Sequence, residues 1–161
     1  MAVGNSTLGV KLYYAVDTTA GTRPTTLSAY TQITGVKNIP GIGEEASAID
    51  VTPLEEPVGG YRQYVPGLKD TGGNLAITCN MTDAFQTAWS ALISAYATGH
   101  TTNKDTWFCV VHPNLAKAFY FTGEPVSLGF TATGVNEAMN ATANIVAGKI
   151  HGWDTKPTSS T

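Results

Sequence analysis

A mainly β, antiparallel sandwich or barrel-like domain with one flanking α-helix is the fold this sequence predicts. Three observations predict it: apolar alternation of period two through most of the chain, one stretch of helical periodicity at 83–98, and Gly/Pro punctuation between the strand-like runs. The 161 residues suit one domain, 1–161, and a chain of this size buries roughly 70% of its unfolded surface without needing staples.

The elements follow in order. Leu8, Val10, Leu12 and Tyr14 alternate with Gly9, Lys11 and Tyr13, the pattern of a half-buried strand that Val16 extends. Residues 17–28 are rich in Thr, Gly and Pro and read as a loop. Strands are expected at 30–36 and 46–51, separated by Pro40-Gly41-Ile42-Gly43, and then at 61–65 and 74–80, with turn residues filling 66–73. Phe85, Ala88, Trp89, Leu92, Ile93 and Tyr96 then line one face of a helix. Its core face is Phe85, Trp89, Leu92, Ile93 and Tyr96. Asp83 reads as the N-cap with Gln86 closing a capping box, and Gly99 as the left-handed residue past the end. Later strands are expected at 107–112, 118–122, 125–131 and 140–153. Trp107 and Trp153 lie in apolar alternation and read as core residues, the alternative being an exposed platform of a small binding module.

Composition narrows the function classes. Hydrophobic residues make up 42% of the chain and charged residues 13%, about half the usual ~25% for a soluble domain. Since a free monomer normally relies on charge to avoid association, much of this surface is expected to face other protein. The net charge of −3 offers no basic footprint for gripping nucleic acid. No window approaches the ~18 consecutive apolar residues of a membrane helix, and the start lacks a basic region followed by an apolar run, so the expectation is synthesis in the cytosol and no membrane partner. In that reducing setting Cys79 and Cys109 read as buried thiols, with a disulfide as the alternative.

Catalytic constellations are weak. Asp70-Thr71-Gly72 matches the triplet of aspartic proteases but follows Gly67-Leu68-Lys69 and precedes a second Gly, the composition of a turn. Cys109 and His112 are three apart, which on a strand points them to opposite faces. His100, His112 and His151 lack metal-ligand spacing, and Gly41-Ile42-Gly43 opens no helix, so it is no phosphate loop. The expectation is a protein that is not an enzyme, with no catalytic residue, no metal and no cofactor.

Residues 39–79 carry most information. Glu44, Glu45, Asp50, Glu55 and Glu56 fall between Lys37 and Arg62 with no intervening base. The connection at 52–73 is long for a segment without a helix, and such connections usually serve a function or are disordered. Ile39-Pro-Gly-Ile-Gly-Glu-Glu-Ala, Ile49-Asp-Val-Thr-Pro-Leu, Tyr64-Val-Pro-Gly-Leu-Lys-Asp and the closing Thr-Gly-Gly-Asn-Leu-Ala-Ile, in this order, resemble the diagnostic segments of major tail tube proteins of long-tailed, non-contractile bacteriophages, the siphovirus group that includes the lambda-like tail tubes.

The resemblance implies a structural virion protein of the tail, made in the host bacterial cytoplasm. Six subunits would close into a ring, and rings would stack into a hollow tube through which genomic DNA passes into the host without specific binding. Implied partners are further copies of the chain together with tail terminator, tape measure and tail-tip proteins. Residues 52–73 would be the assembly loop, 1–7 an N-terminal arm and 154–161 a polar C-terminal tail. Within that loop Pro53, Leu54, Pro57, Tyr61, Arg62, Tyr64, Val65, Pro66 and Leu68 would make inter-ring contacts. Glu44, Glu45 and Asp50 would face the lumen, where like charge repels the duplex. The alternatives are a secretion-tube or contractile-tail tube subunit and, less favoured, a small β-sandwich surface or carbohydrate-binding module.

Overall fold

The computed structural model describes residues 4, 6–131 and 133–159. Nine strands and one α-helix make up its regular elements: β1 Lys11–Val16, β2 Thr31–Ile33, β3 Val36–Asn38, β4 Glu45–Asp50, β5 Tyr64–Asp70, β6 Asn74–Asn80, α1 Asp83–His100, β7 Thr106–Val111, β8 Lys117–Pro125 and β9 Asn140–Thr155. Seven strands form one antiparallel sheet in the order β2-β1-β7-β8-β9-β6-β3, and β4 and β5 pair only with each other.

Chain length dictates the curvature of the large sheet. Ile33 ends β2 at one edge and Val36 starts β3 at the other, so three residue steps, no more than about 11 Å, separate the two edges. The sheet therefore curls until its edges almost meet. The result is a nearly closed barrel, which hides the edges a flat sheet would leave open.

Strand alternation sorts the side chains into two layers. Leu12, Tyr14, Ile33, Leu75, Ile77, Cys79, Phe108, Phe121, Ala141, Ala143 and Ile145 point inward and meet Phe85, Trp89 and Leu92 of α1. Small side chains on β9 leave room for those three. Each contributes roughly 1.5–3 kcal/mol by leaving water. Ile93 and Tyr96 are half-buried at the margin of the same helix face. Trp89 stacks on Phe85 and donates its indole N–H to the Val126 carbonyl at 2.8 Å. The opposite layer, Ala15, Tyr30, Trp107, Cys109, Ala118 and Tyr120, lies under the 17–30 segment. Arg23 sits 4.0 Å over the Tyr120 ring and pairs with Asp154 at 2.7 Å.

The helix ends differ from the sequence expectation. Thr82, not Asp83, is the N-cap, its hydroxyl accepting the Phe85 N–H at 3.1 Å. Asp83 is the first helical residue, where its charge favours the helix dipole. The helix runs two residues past 98, and Gly99 is a buried helical residue. A Cβ there would come within 2.7 Å of Val16 Cγ1, so glycine serves the close approach of α1 to β1.

Other expectations also shift. The first strand begins at Lys11, leaving Leu8 and Val10 exposed. The expected strand at 125–131 is absent; β8 ends at Pro125, and the described residues of 126–139 form an irregular crossing to β9. Pro125 still pairs with Ile145, and a last backbone bond from the Val126 N–H to the Asn144 carbonyl at 3.0 Å follows before the chain leaves the sheet. Residues 64–70, expected to be half turn, are a continuous strand despite Pro66 and Gly67. Of the arm at 1–7, residues 1–3 and 5 lie outside the described residues, and Ser6 offers its carbonyl to His112 Nε2 at 2.6 Å. Thr158 bridges to Thr26, which seats the described part of the 154–161 tail on the 17–30 segment.

Candidate assembly surface

The β4–β5 hairpin is the part of the chain that its own fold leaves unfinished. Ile39 and Ile42 tuck into the inner core below it, and Thr71 Oγ1 and the Gly73 carbonyl bond the backbone of Ala147, which roots both ends. Above the roots every residue of β4 is exposed, and in β5 only Gly67 is partly covered. The two strands pair in register Glu45↔Asp70, Ala46↔Lys69, Ala48↔Pro66, Ile49↔Val65 and Asp50↔Tyr64. Between Ala46 and Ala48 the count slips by one residue, a β-bulge. Gly67 sits in that bulge because a Cβ there would collide with Ser47 Oγ.

Period-two geometry gives this ribbon two faces. One carries Ile49 and Val65 and ends in the carboxylates Glu45 and Asp70; the other carries Ala48, Pro66 and Tyr64 between Lys69 and Asp50. Neither face has a core to join. Leu68, at the bulge, is 91% exposed. An isolated two-stranded ribbon is at best marginally stable in water, so this one depends on whatever it packs against.

The connection at 51–63 is ordered at its base. Asp50 Oδ1 accepts from the Thr52 hydroxyl at 2.6 Å and from the Thr52 N–H at 2.9 Å, while Thr52 Oγ1 accepts the Gln63 N–H at 2.8 Å. These bonds from Thr52, helped by Arg62 at 3.5 Å, hold the Asp50 carboxyl below the usual carboxylate range. Two hydrogen-bonded turns follow, Glu56 N–H to Pro53 carbonyl and Gly60 N–H to Pro57 carbonyl. Proline supplies the accepting carbonyl at the first position of each, and Gly59, at the third position of the second, supplies the positive φ of +94° there. Leu54 and Val58 are the residues after each proline and are fully exposed, at 104% and 108%.

The residues singled out from sequence fall as follows. Pro53, Leu54 and Pro57 build the turns; Tyr61 and Arg62 lie on the return; Tyr64, Val65, Pro66 and Leu68 belong to β5 rather than to a loop. Glu44 bonds Lys69 at 2.9 Å and Asp50 faces Arg62, whereas Glu45 makes no ion pair among the described residues. Sequence reasoning passed over Ile49, Val51 and Val58, which are exposed on the same hairpin, and Phe130, Val135 and Met139 on the 126–139 crossing. Val51, Val58, Phe130 and Val135 carried a signal as apolar residues beside Gly or Thr; Ile49 and Met139 carried none of that kind. Trp153 was expected in the core and is 56% exposed, leaning edge-on against Phe119 at the open end of β9.

The catalytic candidates are not assembled. Asp70 Oδ1 accepts the Gly72 N–H at 2.9 Å, capping a turn in which Gly72 and Gly73 both have positive φ. Cys109 is sealed in the outer layer with its thiol pushed up to about 11 by burial, while His112 bonds Ser6 and Asn114 instead. Among the described residues no group of three His, Cys, Asp or Glu could hold a metal, and no helix is long and apolar enough to cross a membrane.

No family model and no curated protein matches the chain. Solved structures do. A chain of the anti-feeding prophage baseplate, determined by cryo-EM with six-fold symmetrisation, superimposes with a TM-score of 0.63 at 9% identity, covering 94% of this chain and 97% of that one. The barrel is one found in tail assemblies. A chain from the tail of an empty gene transfer agent particle, obtained by helical refinement in C6 symmetry, gives 0.56 at 15% identity over 95% and 99%. One from the native gene transfer agent virion gives 0.51 at 18% over 88% and 94%. At these identities the likeness is one of fold.

Proposed function

We propose that this chain is a structural tail protein whose copies close into hexameric rings and stack into a hollow tube for DNA, as in long-tailed phages. One observation carries the reading: a long ribbon with apolar residues on both faces and nothing packed over it among the described residues. The fold shared with chains of six-fold and C6 tail particles supports it. In a ring the rotation closes, while stacking is head to tail and open ended, so length must be set by other tail proteins. The residues from Pro53 to Leu68 act as the inter-ring arm. Glu45 and Asp50 lie on opposite faces of the ribbon, so the face with Glu45 and Asp70 is the one that gives the passage a charge of the same sign as DNA, while Glu44 and Asp50 are paired with Lys69 and Arg62; no catalytic or cofactor role belongs to the chain.

The likeness to a baseplate chain favours a second reading, a tube subunit of a contractile or secretion assembly, or a baseplate ring. Electron microscopy of the concentrated protein separates a tube subunit of either kind from a baseplate ring, long tubes favouring the former and single rings the latter. Deleting residues 61–68 tests both: the expected product is a folded monomer that forms neither rings stacked on rings nor tubes. A deletion variant that polymerises like the parent contradicts the arm.

A further inference from the structure

An arm needs a receptor, and the surface of the barrel offers one. Leu115, Ala116, Lys117 and the exposed ring of Trp153 line a shallow apolar depression where the turn after β7 meets the end of β9. Phe119 backs the indole from below at 5.5 Å. Lys117 makes no ion pair among the described residues. Close by, Lys156 holds the turn in shape by donating to the carbonyls of His112 and Pro113 at 2.8 and 3.5 Å. The depression is thus apolar in its floor and cationic at its rim.

The tip of the hairpin has the complementary character. Leu54 and Val58 project from successive proline-led turns, and between them stand Glu55 and Glu56, neither in an ion pair. Charge divides along the same line through the molecule. Residues 44–70 hold six carboxylates and two cations, whereas the rest of the chain holds six carboxylates and seven cations. A chain of net charge −3 therefore consists of an acidic arm on a slightly basic body, an arrangement that attracts arm to body between copies and sets their register. The two turns are already hydrogen-bonded, so seating the tip costs less ordering than a free loop would.

We infer that the double turn at 53–60 of one copy plugs the Trp153 depression of another, with Leu54 and Val58 as knobs over the indole and Glu55 or Glu56 against Lys117. This rests on the assembly reading above and names the receptor that reading leaves open. Fully exposed knobs rule out the tip folding onto its own body, so the occupant is a second copy.

The test is a disulfide placed between tip and depression. Leu54→Cys and Ala116→Cys in the same chain, oxidised after concentration and run on a non-reducing gel, should give a ladder of covalent multimers. Leu54→Cys with Ser90→Cys, on the exposed face of α1, should give none. Cys79 and Cys109 are fully buried and stay out of the reaction. A ladder with Ala116→Cys alone supports the inference. Equal ladders from both pairs, or tubes visible by microscopy with no ladder, overturn the receptor while leaving the tube reading standing. Neither ladder nor particles from the parent chain overturns both. Charge reversal gives a second readout: Lys117→Glu should weaken association about tenfold, and Glu55→Lys with Glu56→Lys in the same chain should restore it. Reversal without effect contradicts the pairing.

Discussion

At the scale of single residues, Asp17 and His112 are buried polar groups that find partners, whereas the buried Thr106 hydroxyl finds none among the described residues. Asp17 is 2% exposed, yet its carboxylate accepts from the Trp107 indole at 2.6 Å and from the N–H groups of Gly21 and Asp105 at 3.0 and 3.1 Å. It pins the covering segment to β7. Asp17→Ala should lower stability by roughly 3 kcal/mol in urea unfolding, because three donors lose their acceptor. A loss below half a kilocalorie would show that water replaces the carboxylate without cost. Burial pushes the thiols of Cys79 and Cys109 up to about 11, so an aromatic disulfide reagent at pH 8 should titrate neither until denaturant is added. The thiol reading of the sequence holds in the structure, where both cysteines are free and belong to different layers. His151, on the Trp107 ring, is lowered by burial first and by Lys149 and Arg23 next. Its imidazole binds a proton less readily folded than unfolded. Its contribution is therefore intact above the unfolded value near 6.5 and falls as pH drops through that value toward the lowered one. His151→Gln should flatten the stability profile between pH 7 and 5.

At the scale of elements, helix and hairpin are opposites. The helix was legible because Phe85, Trp89 and Leu92 repeat at helical spacing and find a core; Trp89→Ala should cost about 3–5 kcal/mol. Its N-cap was misread by one residue because Thr82 and Asp83 are both good N-cap types, and only the backbone decides between them. The hairpin was half legible. Proline and glycine at 66 and 67 mimic a turn, but on an unpartnered edge strand a missing N–H breaks nothing, and the bulge absorbs the glycine. Since Leu54, Val58 and Tyr61 touch no core, changing all three to Ser should leave the melting temperature of the single subunit within about 2 °C while abolishing assembly, read by calorimetry and sedimentation. A large fall in melting temperature would mean that these side chains pack on their own domain. Acidification probes the base of the loop. Asp50, held low by Thr52, contributes order above the unfolded carboxylate value near 4 and loses it as pH falls through its lowered value.

At the scale of the whole molecule, fold class was readable because alternation over β6 and β9 is what a curved sheet with a filled inside requires, while β7 is apolar on both faces because the 17–30 segment covers the outer one. Closure was not, since the connection between β2 and β3 that joins the two edges is two ordinary residues, Thr34 and Gly35. The exposed hairpin was visible as an acidic, apolar segment with little to bury it; its shape as a paired ribbon carrying a double turn, and the Trp153 depression, depend on contacts between distant residues. These features describe a barrel carrying an exposed arm, which the proposed function has another copy complete. The most direct measurement is hydrogen exchange followed through residues 45–70, first on dilute single subunits and then on concentrated assemblies. The account predicts that β4 and β5 exchange far faster than β7 in single subunits and become protected on assembly. Equal protection in both states, at the level of β7, would contradict it.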